Sequence, residues 1–314
     1  MRRKGMLVGV LLVLAVLLFY PTIVNDGSKE GLMLWFTVVL PALLPFMVFS
    51  GVMMRMGVTG VIGRLIYPFA HRVLKLTENG CYVLTVGWLS GYPLGAKTAA
   101  ALYQSGDISR QEAQYLLVFC NNASPMFLLE YIGVYCLGLE KPLYLLMVVY
   151  LSAIVNAFFY KKCYGYYQET ENVIKYHRPP NKKCSIMTAL DESILDSFVT
   201  VTKVGGYIIL FSIMAQFLEK ALPCHQSIKL LGLGIIEITT GGEYLKSYEA
   251  LAWQKWILAA AFAAFGGLSS VAQTFSVLHE TDLSMKKYLI AKVWHSLLAA
   301  LIAGLFLYGT GNYP

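Results

Sequence analysis

Apolar stretches of roughly bilayer-crossing length follow one another along nearly the whole chain, at residues 6–20, 31–54, 80–103, 113–138, 142–160, 193–222, 228–242, 255–279 and 287–311. A helix needs about 20 such residues to span the hydrocarbon core. Little polar sequence is left between them to clothe a water-facing globule. Only 14% of the 314 residues are charged, against about 25% in ordinary soluble domains. The expected fold is all-α and polytopic, with every backbone polar group in lipid satisfied inside a helix. The same hydrophobicity excludes disorder. The run at 228–242 is short for a crossing, and 80–103 is interrupted by glycines and a proline, so both are expected as re-entrant or broken segments.

The net charge of +7 is explained by position. The chain is followed in at Lys4, out at Asn25, in at Arg55, out at Gly138, in at Lys161, out at Leu222, in at Glu280 and out at Pro314. This gathers Arg2, Arg3, Lys4, Arg55, Arg64, Arg72, Lys75, Arg110, Lys161, Lys162, Lys175, Arg178, Lys182, Lys183, Lys286 and Lys287 on one side. Only Lys29, Lys141, Lys220, Lys229, Lys246 and Lys255 remain on the other. That is the bias of cytoplasmic loops, and no nucleic-acid partner is implied. Arg2-Arg3-Lys4 and the apolar run to Tyr20 lack a small-x-small cleavage site, so 1–30 is expected to be an uncleaved N-terminal span. Six cysteines form no CxxC pair and read as free thiols. The five histidines show no ligand spacing, so no metal or other cofactor is expected. No nucleophile–base constellation emerges either, and the chain does not read as an enzyme.

The one long polar stretch, 161–190, contains Pro179-Pro180, which no helix continues through. It reads as a cytoplasmic linker between two halves, 31–160 and 191–314. Gly87-Trp88-Leu89-Ser90-Gly91-Tyr92 aligns with Glu237-Ile238-Thr239-Thr240-Gly241-Gly242, and Phe119-Cys120-Asn121-Asn122-Ala123-Ser124 with Phe265-Gly266-Gly267-Leu268-Ser269-Ser270. The charge topology gives the halves opposite orientations. Two inverted-topology repeats are therefore expected, with the solute site where discontinuous helices of both meet.

Four interruptions carry the chemistry. The first, with Ser90, Gly91 and Gly95 ahead of Lys97, offers free N–H groups and a positive charge suited to an anion; alternatively its glycines allow close packing and Lys97 snorkels to the interface. The second, with Asn121, Asn122, Ser124 and Pro125, offers donors and acceptors to a solute, or serves to hold helices together. The third brings Thr239, Thr240 and Glu237, a carboxylate able to couple transport to H+ or Na+, or else to pair with Lys97 or Lys203. Ser269, Ser270 and Gln273 follow the glycine pair of the fourth. Glu130 and Lys292 are also flanked by apolar residues but lie within about two turns of a loop.

Gly91-Tyr92-Pro93-Leu94-Gly95-Ala96-Lys97, Asn122-x-Ser124-Pro125, Glu237-x-Thr239-x-Gly241, Phe265-Gly266-Gly267-Leu268-Ser269 and the early Leu40-Pro41-Ala42-Leu43-Leu44-Pro45-Phe46 together resemble the YlbJ-type sporulation integral membrane proteins. These contain the nucleoside-recognition, or Gate, domain. The resemblance covers about Leu32 to Leu307. It implies a multi-pass protein of a bacterial cell or forespore membrane, with a fold like the membrane halves of concentrative nucleoside transporters. It further implies movement of a small anionic or nucleoside-like solute during spore maturation, dipicolinate foremost. The competing expectation is a non-transporting scaffold or sensor acting through the 161–190 loop.

Overall fold

The computed structural model describes residues 11–310 apart from 12, 13, 16, 57, 166–184 and 221–224. The first part of the expected N-terminal span and most of the linker, including Pro179-Pro180, lie outside the described residues. So do Cys184 and Cys224, whereas Cys81, Cys120 and Cys136 are buried free thiols and Cys163 an exposed one.

Helix α1 (Pro21–Leu34) opens on a proline, whose missing N–H is harmless in a first turn. It continues through a π-helical turn, Trp35–Val39, into α2 (Leu40–Arg55). The two arms meet at 54°, where Pro41 and Pro45 deprive the helix of backbone donors. The polar step Asn25–Glu30, expected as an outside loop, is instead helical. Gly27 and Gly31 let α1 lie directly on the long helix α8 (Ile186–Lys220), since a Cβ at either would come within 2.7 Å of its backbone. Asp26 pairs with Lys220 at 2.7 Å and Gln216 donates to Glu30 at 2.5 Å.

Residues expected as an inside loop after Arg55 form helix α3 (Thr59–Leu74). It is amphipathic, presenting Leu65 and Phe69 outward on the same helix as Arg64 and Arg72, the pattern of a helix lying in a membrane interface. The chain then turns back at Lys75 (φ 62°). Thr77 caps α4 (Glu78–Ser90) by accepting from Gly80 N at 3.0 Å. A break at Gly91–Pro93 separates α4 from α5 (Leu94–Gln104), and the two pack as a hairpin. Helix α6 (Arg110–Leu116), capped by Ser109, gives way to irregular backbone before a π-helix, Phe127–Cys136. Helix α7 (Leu143–Tyr164) completes the first half.

Beyond the linker the helices again come in broken pairs. After α8 come α9 (Gln226–Ile236) and α10 (Ile238–Ser247), broken at Glu237; then α11 (Ala252–Phe265) and α12 (Gly267–Leu278), broken at Gly266; then α13 (Met285–Thr310). Helix α7, α8, the α11–α12 pair and α13 are long and apolar enough to cross a bilayer, and the bent α1–α2 pair makes a fifth candidate. Eleven residues of α5 or α9 reach only about 16 Å, too short for either to cross the hydrocarbon core alone.

Ion pairs sit at both ends of α8, Lys220 with Asp26 closing its far end. Near its start, Arg55 binds Glu192 at 3.0 Å and also Asp196. Arg110 pairs with Asp282 at 2.6 Å, and Tyr103's hydrogen bond, seconded by Arg110, holds the Asp282 carboxyl below its ordinary range. At the Lys220 end, Lys229 donates to Glu219 O at 2.6 Å and Lys255 to Lys246 O at 3.0 Å.

Candidate functional site

A helix that breaks inside an apolar bundle must find other partners for its freed backbone groups. Here the breaks find one another. Tyr92 N donates to Asn122 O at 2.8 Å, and Gly91, at φ 84°, lies so close to the second break that a Cβ would stand 2.7 Å from Ser124 N. Tyr131 OH, on the π-helix following the second break, donates to Thr239 O at 3.0 Å in the third. Gly267 in the fourth break rests on the third, its notional Cβ 3.3 Å from Glu237 Cα, while that of Gly266 is 3.3 Å from the Tyr92 ring of the first. The circuit closes, and between it and the bent α1–α2 pair lies a cavity of about 850 Å³, which that pair lines with Met33, Thr37 and Phe46.

This volume falls in the range of small-molecule sites, about 300–1,000 Å³. Ser90, Gly91, Ser124, Glu237, Thr239, Thr240, Ser269, Ser270 and Gln273, from both halves, line it. Glu237 caps α10: its Oε2 accepts from Thr239 N at 2.8 Å, Thr240 N at 2.9 Å and the Thr239 hydroxyl. The positive end of a helix dipole thus faces its carboxylate. Among the described residues no lysine reaches it, so the alternative ion pair with Lys97 or Lys203 is not formed. Glu30, Glu130 and Glu243 add further carboxylates, and no lysine, arginine or histidine is among the described lining residues. Phe127, Tyr131 and Tyr135, each one turn apart, stack at centroid distances of 5.1 and 5.5 Å along one wall. Glu30 and Glu243 carry the cavity toward the Lys220 end, where Gln216 and Tyr135 hydrogen-bond them.

Gly95, Lys97, Asn121 and Asn122 do not border this cavity. A Cβ on Gly95 would strike Cys120 O at 2.5 Å, so that glycine serves close packing. Lys97 Nζ donates to Thr200 Oγ1 at 2.6 Å and faces a separate cavity of about 240 Å³ with Lys203, Gln104, His279 and Glu280. Gln273 borders both cavities, and its Oε1 is buried without a partner. The N–H groups expected to await an anion are occupied: those of Tyr92, Leu94, Ala96 and Lys97 donate to Asn122 O, Gly91 O, Asn121 Oδ1 and Pro93 O. Asn121 Nδ2 donates to Thr274 Oγ1 and Tyr288 OH, both at 2.9 Å, and Asn122 Nδ2 to Phe119 O at 2.8 Å. These amides hold the break together.

The aromatic wall has a sequence signal, Phe127, Tyr131 and Tyr135 at four-residue spacing. Glu30 was hidden because its segment looked like a loop. Glu130 was read as reaching a loop, yet it borders the cavity. Lys292 was read the same way and is fully buried, at 0% exposure.

Residues 36–138 match the Gate family, described as nucleoside recognition. The chain is 29% identical over 320 residues to the sporulation integral membrane protein YlbJ of Bacillus subtilis, an alignment covering 91% of this chain and 78% of that protein. No solved structure matches. The similarity read from short motifs thus extends through both halves. With four helices among the described residues able to cross a bilayer, or five with the bent pair, and an integral membrane protein as its relative, this is a multi-pass membrane protein.

Proposed function

We propose that the chain is a secondary transporter carrying a neutral, nucleoside-like solute through the central cavity, with Glu237 exchanging the coupling proton. The observation that carries this reading is the meeting of all four helix breaks around one space lined by both halves. Discontinuous helices at a shared cavity are how many secondary transporters bind solute and ion near the bilayer midplane. Inverted repeats are supported by the hairpins' starting points: Asn79 of α4 donates to Asp107 O, close to Arg110 and its partner Asp282, whereas Lys229 of α9 donates to Glu219 O at the far end of α8. This is the arrangement implied by the likeness to concentrative nucleoside transporters. A role in sporulation rests on the name of that relative.

The lining argues for the solute's charge. Stacked aromatic rings offer a face to a planar base, and carboxylates with hydroxyls offer acceptors and donors to sugar hydroxyls. An anion entering among four glutamates would meet carboxylates, with Lys246, seated 3.7 Å over the Tyr135 ring, as the cation at the wall. The dipicolinate expectation therefore finds no support here, and Lys97, the cation proposed for it, faces elsewhere. Purified protein in lipid vesicles is expected to take up labelled uridine or adenosine above empty vesicles, and dipicolinate no better than empty vesicles. Uptake of dipicolinate without nucleoside would reverse the assignment.

A further inference from the structure

Five carbonyls of the second break's irregular backbone have named donors. Val118 O accepts from Asn156 Nδ2 at 3.4 Å, and Phe119 O from Trp88 Nε1 and Asn122 Nδ2, both at 2.8 Å. Asn122 O accepts from Tyr92 N at 2.8 Å and Ala123 O from Tyr150 OH at 3.2 Å. Asn121 O accepts from Lys292 Nζ at 3.3 Å, and the same nitrogen lies 3.5 Å from Asn122 Oδ1. Every other donor in this set is neutral. Lys292 reaches the break from α13, is wholly buried, and among the described residues forms no ion pair with a carboxylate. Asn156 also binds Ala291 O at 2.9 Å, which fixes α13 against the break one residue before Lys292.

A cation surrounded by a backbone carbonyl and an amide oxygen at an unwound helix is the chemistry by which broken transporter helices hold Na+. A charge buried without a counter-charge is expensive, and Asn121 O and Asn122 Oδ1 are the oxygen dipoles that offset that cost here. We infer that Lys292 is a tethered internal cation: its ammonium group takes, from α13, the place at the Cys120–Ser124 break that a small metal cation would otherwise fill. Lys292 is a positioning residue, acting on the solute through the shape of that break. The corollary, that solute uptake needs no Na+ at this break, rests on the transport reading; the cation assignment itself does not.

The test reads stability in detergent or lipid, so it stands whether or not uptake is ever seen. Wild-type protein is expected to unfold at the same midpoint in Na+, K+ and choline chloride. Lys292→Ala is expected to gain a saturable rise of about 3 °C or more with Na+ or ethylammonium and none with choline, as a ligand bound only to the folded state would give. Lys292→Gln, which keeps a donor and loses the charge, is expected to show the cation response too, and it serves if the alanine variant does not fold. The assignment is overturned if Lys292→Gln matches the wild type with no cation response. It is equally overturned if the folded variants respond to no small cation, or if the wild type is itself specifically stabilised by Na+.

Discussion

Glu237→Gln is expected to lower solute uptake at least tenfold while leaving the unfolding midpoint within about 2 °C of wild type. The glutamine keeps a carbonyl oxygen for Thr239 N and Thr240 N, which Glu237 now caps at 2.8 and 2.9 Å, so α10 stays anchored. What it loses is a group that can bind and release a proton while facing the cavity. Glu237→Ala should lose both, with the missing cap destabilising the fold by about 1 kcal/mol or more. Uptake assays beside thermal unfolding separate the two effects. Full activity in Glu237→Gln would remove this residue from coupling.

The largest purely structural effect is expected at Gly87. Its notional Cβ would lie 2.2 Å from Cys120 O and that of Gly95 2.5 Å from the same atom, so the first hairpin and the second break touch backbone to backbone. Nothing there is a flexible side chain that could yield. Gly87→Ala must push the two breaks apart, and overpacking of this kind costs roughly 1–3 kcal/mol or more. The midpoint should fall by about 5 °C, taking about 2–4 °C per kcal/mol. Gly206, also helical but with nothing within 4 Å, is the control: alanine there should be neutral or slightly stabilising. Equal effects at the two positions would contradict the close contact.

Where the helices break was legible, because breaks are local events. Glycine, proline and short polar residues inside an apolar run disfavour helix wherever they stand, and the interruptions expected at 87–97, 120–125, 237–242 and 266–273 each overlap a narrower break of the structure, at 91–93, 117–124, 237 and 266. Which side chain at a break looks into the cavity is a long-range matter. Asn121 and Asn122 carry the chemistry of solute recognition, yet they turn toward Tyr288 and Lys292, some 170 residues onward. Lys97 heads a helix start suited to an anion, but Thr200 of the other half draws it away. Glu237 could be assigned correctly to a break, whereas its freedom from any lysine depended on where α5 and α8 fell. Helix α3 was missed because its apolar face alternates with Arg64 and Arg72, which in a membrane chain read first as a loop signature.

The central claim is that one cavity, built by both halves, holds a nucleoside-like solute. Photo-crosslinking of the reconstituted protein with an azido-substituted nucleoside, followed by peptide mapping, tests it directly. Labelled peptides are expected from 124–135 and from 237–273 in the same preparation, both suppressed by excess unlabelled nucleoside and neither by dipicolinate. Labelling confined to one half, or labelling that unlabelled nucleoside does not suppress, would contradict it.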